Sequence, residues 1–208
     1  MLHFPVPLGA EGVVPRDDWD TLGMRGTGSQ TLELHDVFVP DAAIQLDRRA
    51  GEWHMAWSVV LRVAPPLYMA PYVGLTERAC ELARDAAKTK AGDPHAASLV
   101  GAMENELAAA RLAWDAMVAS VRNFDFAPEL PAAERRLVHK TLAVRACRAA
   151  VDAAMVAAGG RAFFRALPLE ACFRDVQGAH FHPLPEHRQV VFSGRLALGL
   201  DPITGAAR

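Results

Sequence analysis

The stretch DPHAASLVGAMENELAAARLAWDAMVASVRNF, residues 93–124, decides the fold class of this chain. Asp93 followed by Pro94 favours a helix start, because aspartate caps the first amides and proline fits the first helical position. Apolar side chains then recur at alternating spacings of four and three, which is typical of a buried face in an antiparallel bundle or coiled coil. They are Met103, Leu107, Ala110, Trp114, Met117, Val121 and Phe124. The stretch therefore predicts a long bundle helix.

Two further long helices are expected on either side of it. The first runs from Trp53 to about Lys90, and three prolines are expected to break or kink its first half. These are Pro65, Pro66 and Pro71. The other begins at Pro131 and ends at Gly159-Gly160. The side chains expected on its inward face are Val138, Leu142, Ala146, Ala149, Ala153 and Val156.

The two ends of the chain complete the expected organisation. Short helices are expected from Leu169 to Val176 and from Pro185 to Leu198, so residues 48–208 form an up-and-down four-helix bundle in a mainly α fold. Residues 1–47 are rich in proline, glycine and aspartate, and Thr31–Pro40 alternates like a strand. Another short strand is expected at Val13-Val14. So few strands make no independent sheet, which predicts a partial β-domain, the edge of a larger one.

The composition argues against several classes of protein. The chain has 208 residues and a formal net charge of -2, without the basic excess usual in nucleic-acid-binding proteins. No run of about 18 apolar residues occurs, so no membrane-spanning helix is expected. The N-terminus, MLHFPVPLGAEGVVPRDDW, lacks the basic and apolar regions of a secretory signal. We therefore expect a cytoplasmic protein that binds neither nucleic acid nor membrane.

Residues 19–29, WDTLGMRGTGS, are the first candidate for a functional segment. Glycines, hydroxyl side chains and Arg25 before a strand suit a loop that brings hydrogen-bond donors close to an anionic ligand. The segment lacks the Lys-Ser/Thr of a Walker A loop, and a strand follows where a dinucleotide-binding fingerprint requires a helix. On composition alone, a ligand-binding loop and a purely structural tight loop both remain open.

A histidine cluster near the C-terminus is the second candidate. It comprises His180, His182 and His187, with Glu186 beside them. Prolines interrupt this segment and no regular helix or strand register brings the imidazoles together, so no metal site is expected. One imidazole can instead serve as a general acid or base, because it titrates near neutral pH. A plain loop histidine is the other interpretation.

Together these motifs resemble the C-terminal half of the acyl-CoA dehydrogenase superfamily. Residues 19–40, WDTLGMRGTGSQTLELHDVFVP, are similar to the middle-domain stretch in which a glycine, arginine and hydroxyl loop leads into a strand ending Val-x-Val-Pro. The family's later Gly-Gly, Glu-Arg and Arg-Asp run is matched by three pieces of sequence: Gly159-Gly160, Leu169-Glu170 and Phe173-Arg174-Asp175. The resemblance extends over nearly the whole chain.

The resemblance implies a flavoprotein with FAD, or FMN, bound between the β-domain and the bundle. It implies that Thr27 and Ser29 lie near the flavin or substrate, and that Gly159-Gly160 approaches the flavin of a neighbouring subunit. Arg174 is expected among the cofactor-binding residues and, with Asp175, is expected to hold the loop that carries the catalytic position. A homo-oligomer, dimer or tetramer, is implied as well.

The resemblance leaves the chemistry open between two branches. The leading interpretation is an acyl-CoA dehydrogenase that oxidises CH–CH groups, although Pro183 stands where one branch carries its proton-abstracting glutamate, and proline cannot be a base. The alternative is a flavin-dependent monooxygenase acting on an aromatic substrate, a branch that carries a histidine at the position of His182, the expected catalytic residue. The family's N-terminal helical domain has no counterpart here, so we expect a truncated or split form with a partner supplying that half. A non-catalytic oligomerisation module is the third possibility.

Overall fold

Three long antiparallel helices form the body of the molecule in the computed structural model, which describes residues 1–207. Within these residues the α-helices are α1 (Met55–Ala87), α2 (Pro94–Val121), α3 (Leu130–Ala158), α4 (Leu169–Val176) and α5 (Glu186–Ala197). Short 3-10 turns join the long helices. The mainly α prediction is confirmed, as are the predicted bounds of α4.

The helix ends follow from local sequence. The Asp93 carboxylate accepts a hydrogen bond from the His95 amide at 2.9 Å, and Pro94 occupies the first turn of α2, as predicted. The His54 Nδ1 caps α1 by accepting from the Ala56 amide at 3.2 Å. Gly159 ends α3 with a φ of 71°, a conformation that glycine adopts without strain.

The core lies between α1, α2 and α3, with α4 packed against its end. Many of its side chains are small, which lets the helix axes approach closely. From α2 it receives Met103, Leu107, Ala110 and Met117, so most of the predicted face of α2 is buried. Phe124 is not part of it: the side chain is 70 % exposed because α2 ends at Val121 and a turn with positive φ follows.

Of the break or kink expected at the prolines of α1, the break does not occur. The helix continues through all three prolines for 33 residues, with Pro65 and Pro66 buried against the bundle. The Trp114 indole of α2 donates to the Pro66 carbonyl at 2.9 Å, which ties this part of α1 to its neighbour. Packing of a long helix in the bundle outweighs the cost of about 3 kcal/mol that an interior proline imposes on an isolated helix.

The predicted inward face of α3 is correct only in part: Ala146 is buried and Ala153 packs against the core, but the large apolar side chains were assigned wrongly. Leu142 and Val156 are 47 % and 58 % exposed, whereas Leu137 and Val151 are fully buried. Alanine occurs on both sides of α3, so the pattern of large side chains alone does not define which face is buried. Lys140 and Thr141 lie on the buried face, which the sequence pattern marks as polar.

The N-terminal segment forms two small antiparallel pairs within the described residues. β1 (Leu2–His3) pairs with β4 (Leu46–Asp47), and β2 (Val13–Pro15) pairs with β3 (Leu32–Leu34). The predicted strand is therefore present but shorter than Thr31–Pro40. In residues 1–207 no helix has the length and apolar character needed to cross a membrane.

Candidate functional site

A cavity of about 620 Å³ opens where the loop of residues 19–29 meets the helices, a size within the range of ligand pockets. We call this loop the glycine loop and the cavity the loop cavity. Its walls come from the glycine loop, from α1 and from the segment that begins in α4. Four of the expected site residues line it: Thr27, Ser29, Arg174 and His182. Residues far apart in the sequence are thus brought to one place.

The Arg-Asp pair of α4 holds the glycine loop. The Met24 amide donates to the Asp175 carboxylate at 2.6 Å, and the Arg174 guanidinium donates to the Leu22 carbonyl at 3.0 Å. Arg174 is also paired with Glu170 at 2.8 Å, which raises the pKa of the guanidinium and lowers that of the carboxyl. The pair was expected to hold the loop that carries the catalytic position. In the structure both hydrogen bonds hold the glycine loop, and neither reaches the segment that carries His182.

Gly23 makes this contact possible. A Cβ atom at this position would lie 2.4 Å from the Arg174 carbonyl oxygen and 2.6 Å from the Asp175 Cα, distances that only a movement of backbone could relieve. Glycine lets the loop backbone approach α4 closely enough for both hydrogen bonds to form. Close packing of the loop backbone against α4 therefore explains why position 23 is glycine.

His182 lies in the opposite wall, just after the 3-10 turn Gln177–Phe181. Its Nε2 is hydrogen bonded to the Tyr72 hydroxyl at 2.9 Å. The Tyr68 ring stacks on the imidazole with a centroid distance of 4.5 Å and an interplanar angle of 8°. The Tyr68 hydroxyl donates to the Pro183 carbonyl at 3.1 Å, so both tyrosines of α1 position this segment.

Burial and a nearby charge favour the neutral form of the imidazole. Burial, followed by the positive charge of Lys140, lowers the pKa of His182 below its ordinary value of 6.5. Burial, with the nearby Asp175 carboxylate, raises the pKa of Tyr72. A neutral imidazole beside a protonated phenol is therefore the main state at pH 7. Such a pair can accept and return a proton.

The hydroxyls of the glycine loop supply polar groups at the rim of the cavity. The Thr27 hydroxyl donates to the Met24 carbonyl at 2.8 Å, so its oxygen remains able to accept a hydrogen bond. Among residues 1–207 no partner is found for the Ser29 hydroxyl, which leaves it able to donate to a ligand. The rest of the lining is largely apolar and includes Trp19 and Phe181.

Gly159 and Gly160 are not brought to the loop cavity, since neither is among its lining residues. They lie at the end of α3, and a Cβ atom on either would meet nothing within 4 Å. Sequence reasoning missed both tyrosines. Their spacing of four residues, which places them on one side of α1, is the one signal that could have found Tyr68 and Tyr72 together.

A second cavity of about 600 Å³ adjoins the first. Tyr68 and His182 line both, so their stacked rings form part of the wall between the two cavities. The second cavity is strongly apolar, with aromatic rings from Trp53, Trp57 and Phe192. We call it the aromatic cavity. In the part of the chain that the structure describes, no group of three His, Cys, Asp or Glu side chains could hold a metal ion.

The helical part of the site corresponds to a known family. Residues 67–185 match the model of the acyl-CoA dehydrogenase C-terminal domain, which is more than half of the chain. The chain belongs to the acyl-CoA dehydrogenase family. The matched range contains the Arg174-Asp175 pair, both tyrosines and His182, and it confirms the family expected from the sequence motifs.

Relatives of this family member include monooxygenases. A dibenzothiophene monooxygenase from Mycolicibacterium goodii is 32% identical over 108 residues, covering 48% of this chain and 25% of that protein. The oxygenase subunit HsaA, a flavin-dependent monooxygenase of Mycobacterium tuberculosis, is 29% identical over 217 residues, covering 90% of this chain and 54% of that protein. A nitrososynthase structure from Micromonospora carbonacea var. africana has a TM-score of 0.83 and 25% identity over 94% of this chain and 52% of that one.

Two points follow from these comparisons. The chain spans about half the length of HsaA and of the nitrososynthase. The similarities also support the monooxygenase alternative better than the dehydrogenase interpretation, which they do not confirm. The comparisons also support the flavin cofactor, FAD or FMN, that the resemblance implied.

Proposed function

We propose that this chain forms the helical part of a flavin-dependent monooxygenase in which His182 serves as the acid–base residue. One observation carries the proposal. His182, which is hydrogen bonded to Tyr72, lines the same cavity as Thr27 and Ser29. One branch of the acyl-CoA dehydrogenases carries a carboxylate base at this point. Pro183 stands at the position where the resemblance places one, and an imidazole is its immediate neighbour.

The lining of the loop cavity fits a flavin ring. An isoalloxazine has apolar faces and a polar edge, and the cavity combines apolar and aromatic walls with hydroxyls at its rim. Thr27 would accept a hydrogen bond from the ring edge and Ser29 would donate one, and Arg174 would lie in the adjacent wall. FAD is the proposed cofactor, with FMN possible. A bound reduced flavin would supply the electrons that activate dioxygen.

The residues of the chain then control the proton. When Nε2–H donates to the Tyr72 hydroxyl oxygen, neutral His182 has Nδ1 available to accept a proton from the reacting substrate and later return it, and the same hydrogen bond keeps the imidazole oriented. The Tyr68 ring covers one face of the imidazole and excludes water from it. Catalysis of this kind contributes roughly 10²–10⁴-fold to a rate.

The aromatic cavity is the proposed site of the organic substrate. It borders His182 directly, and its tryptophan and phenylalanine rings suit a planar, apolar molecule. The similarity to a dibenzothiophene monooxygenase supports an aromatic substrate over an acyl-CoA.

We also propose that the protein assembles as a homo-oligomer, a dimer or tetramer. Leu112 of α2 and Leu142 of α3 line the same exposed groove, with 71 % and 47 % of their surfaces accessible. Gly159-Gly160 would then face the flavin of a neighbouring subunit. Residues 1–47 would be the edge of a larger β-domain, and a partner chain or segment would supply the half present in the longer relatives.

The test uses the purified chain with FAD or FMN, a flavin reductase and dibenzothiophene or indole as probes. We expect a retained flavin absorption band after desalting and oxygen-dependent product formation. His182→Asn should lower turnover by roughly 10²-fold or more with flavin retention unchanged. Its control is His95→Asn, an exposed histidine in the first turn of α2.

Two results would contradict the proposal. Bleaching of the flavin by an acyl-CoA without oxygen would restore the dehydrogenase interpretation. A rate for His182→Asn equal to that of His95→Asn would remove His182 from the chemistry.

A further inference from the structure

Lys140 of α3 is a buried cation that the proposed reaction does not use. Its side chain is fully buried and only 1 % of the residue surface is exposed. Its Nζ donates to the Leu184 carbonyl at 2.5 Å, and among the described residues this is its sole hydrogen bond. A buried ammonium with one partner is costly, because the charge loses its hydration.

The carbonyl that Lys140 binds belongs to the segment that carries His182. Leu184 lies two residues after the imidazole, and the preceding carbonyl, that of Pro183, accepts from the Tyr68 hydroxyl. Two donors from different helices, α1 and α3, thus hold consecutive carbonyls of this segment. The backbone following His182 is fixed from both sides of the bundle.

An apolar residue would meet the needs of packing at this position without the cost of a buried charge. Burial lowers the pKa of Lys140 to about 8, so the side chain is still mostly charged at pH 7. A charge retained beside an acid–base residue at this cost indicates a role in the site.

We propose that Lys140 is a positioning residue that fixes the His182 segment through its hydrogen bond to the Leu184 carbonyl. Held there, its charge acts on the imidazole from a fixed position. This inference rests on the proposed acid–base role of His182. Lys140 acts through His182 and does not line the loop cavity itself.

Other titratable groups also act near this segment. α1 contributes Tyr68 and Tyr72 in direct contact with the imidazole. From α4, Asp175 acts on Tyr72. From α5, Glu186 offsets part of the lowering of the Lys140 pKa by burial, while being paired with Arg145. His180 precedes the segment, and its pKa is lowered by burial first, then by Arg148, with a smaller contribution from Lys140.

The experiment is an NMR titration of the full chain with isotope-labelled histidine, using the His182→Asn spectrum to assign the His182 signal. In Lys140→Met, we expect the pKa of His182 to rise, because the neighbouring positive charge is gone and the segment is less firmly held. Arg135→Met is the matched control, since it removes an exposed cation from the same helix. It should leave the His182 titration unchanged.

An unchanged His182 titration in Lys140→Met would overturn the proposal. Should that variant fail to fold, Lys140→Gln provides the same test, because it keeps an N–H donor and loses the charge; an unchanged pKa there would also overturn it. The two proposals fail separately. If His182 has no acid–base role, His182→Asn will turn over at the normal rate, whether or not the pKa of His182 changes in the lysine variants.

Discussion

At the scale of single residues, Lys140 makes the free energy of unfolding rise with pH, whereas a surface lysine in an ion pair makes it fall. The unfolded chain keeps the lysine proton up to about pH 10.5, whereas the folded chain holds it only to about pH 8. Between these values the unfolded state binds more protons, so the free energy of unfolding rises with pH. A shift of this size corresponds to about 3 kcal/mol.

We therefore expect Lys140→Met to be more stable than the natural chain at pH 7, by up to about 3 kcal/mol, with the difference shrinking toward pH 10.5. Urea denaturation followed by circular dichroism at pH 7, 8.5 and 10 measures it, with Arg135→Met as the reference. A lysine variant that is less stable at every pH would mean that the ammonium contributes net stability.

The site illustrates which residues can be predicted from sequence. Thr27, Ser29, Arg174 and His182 belong to local motifs, and the structure places all four around one cavity. Tyr68 and Lys140 belong to no motif, because their role depends on how α1 and α3 pack against a segment more than 40 residues away. Only the tertiary structure brings such groups together.

At the scale of elements, the buried face of α2 could be predicted, whereas that of α3 could be predicted only in part. The face of α2 is defined by large side chains, Met103 and Leu107 among them. On α3, alanines surround the helix and two large apolar residues point outward. The prolines of α1 are a second case, in which tertiary packing overrides a local preference that is sound for an isolated helix.

The orientation of α3 leads to a matched pair of substitutions on one helix. Leu137→Ala removes a side chain with no exposed surface and should destabilise the fold by about 2–5 kcal/mol. Leu142→Ala removes a partly exposed one, and its effect on unfolding should stay within about 1 kcal/mol. Chemical denaturation of both variants tests this.

Leu142→Ala has a second expected effect if the proposed homo-oligomer forms through the α2–α3 groove. Light scattering coupled to size-exclusion chromatography should detect a smaller assembly for this variant than for the natural chain. Equal cost of the two substitutions in denaturation would contradict the assigned orientation of α3. An unchanged assembly would place the oligomer interface elsewhere.

At the scale of the whole molecule, the loop cavity exists only because the N-terminal segment docks on the bundle. The two strand pairs are small, and they could not form a stable sheet alone. The segment is held by the hydrogen bonds of α4 to the glycine loop, and by Arg48 and His3 against Trp57 at its other end. The geometry of the cavity therefore depends on a few contacts rather than on an extensive core.

Gly23→Ala tests this dependence. The added methyl group would force the loop away from the Arg174 carbonyl, so we expect a cost of about 1–3 kcal/mol at this contact. Gly26→Ala is the control in the same loop, because its Cβ would meet nothing within 4 Å. Limited proteolysis should cut residues 19–29 faster in Gly23→Ala only, while the helical circular dichroism of both variants matches that of the natural chain. Flavin retention should fall as the cutting increases, since the loop forms one wall of the cavity. A Gly23→Ala chain that resists protease and keeps its flavin would mean that other contacts dock the N-terminal segment on the bundle.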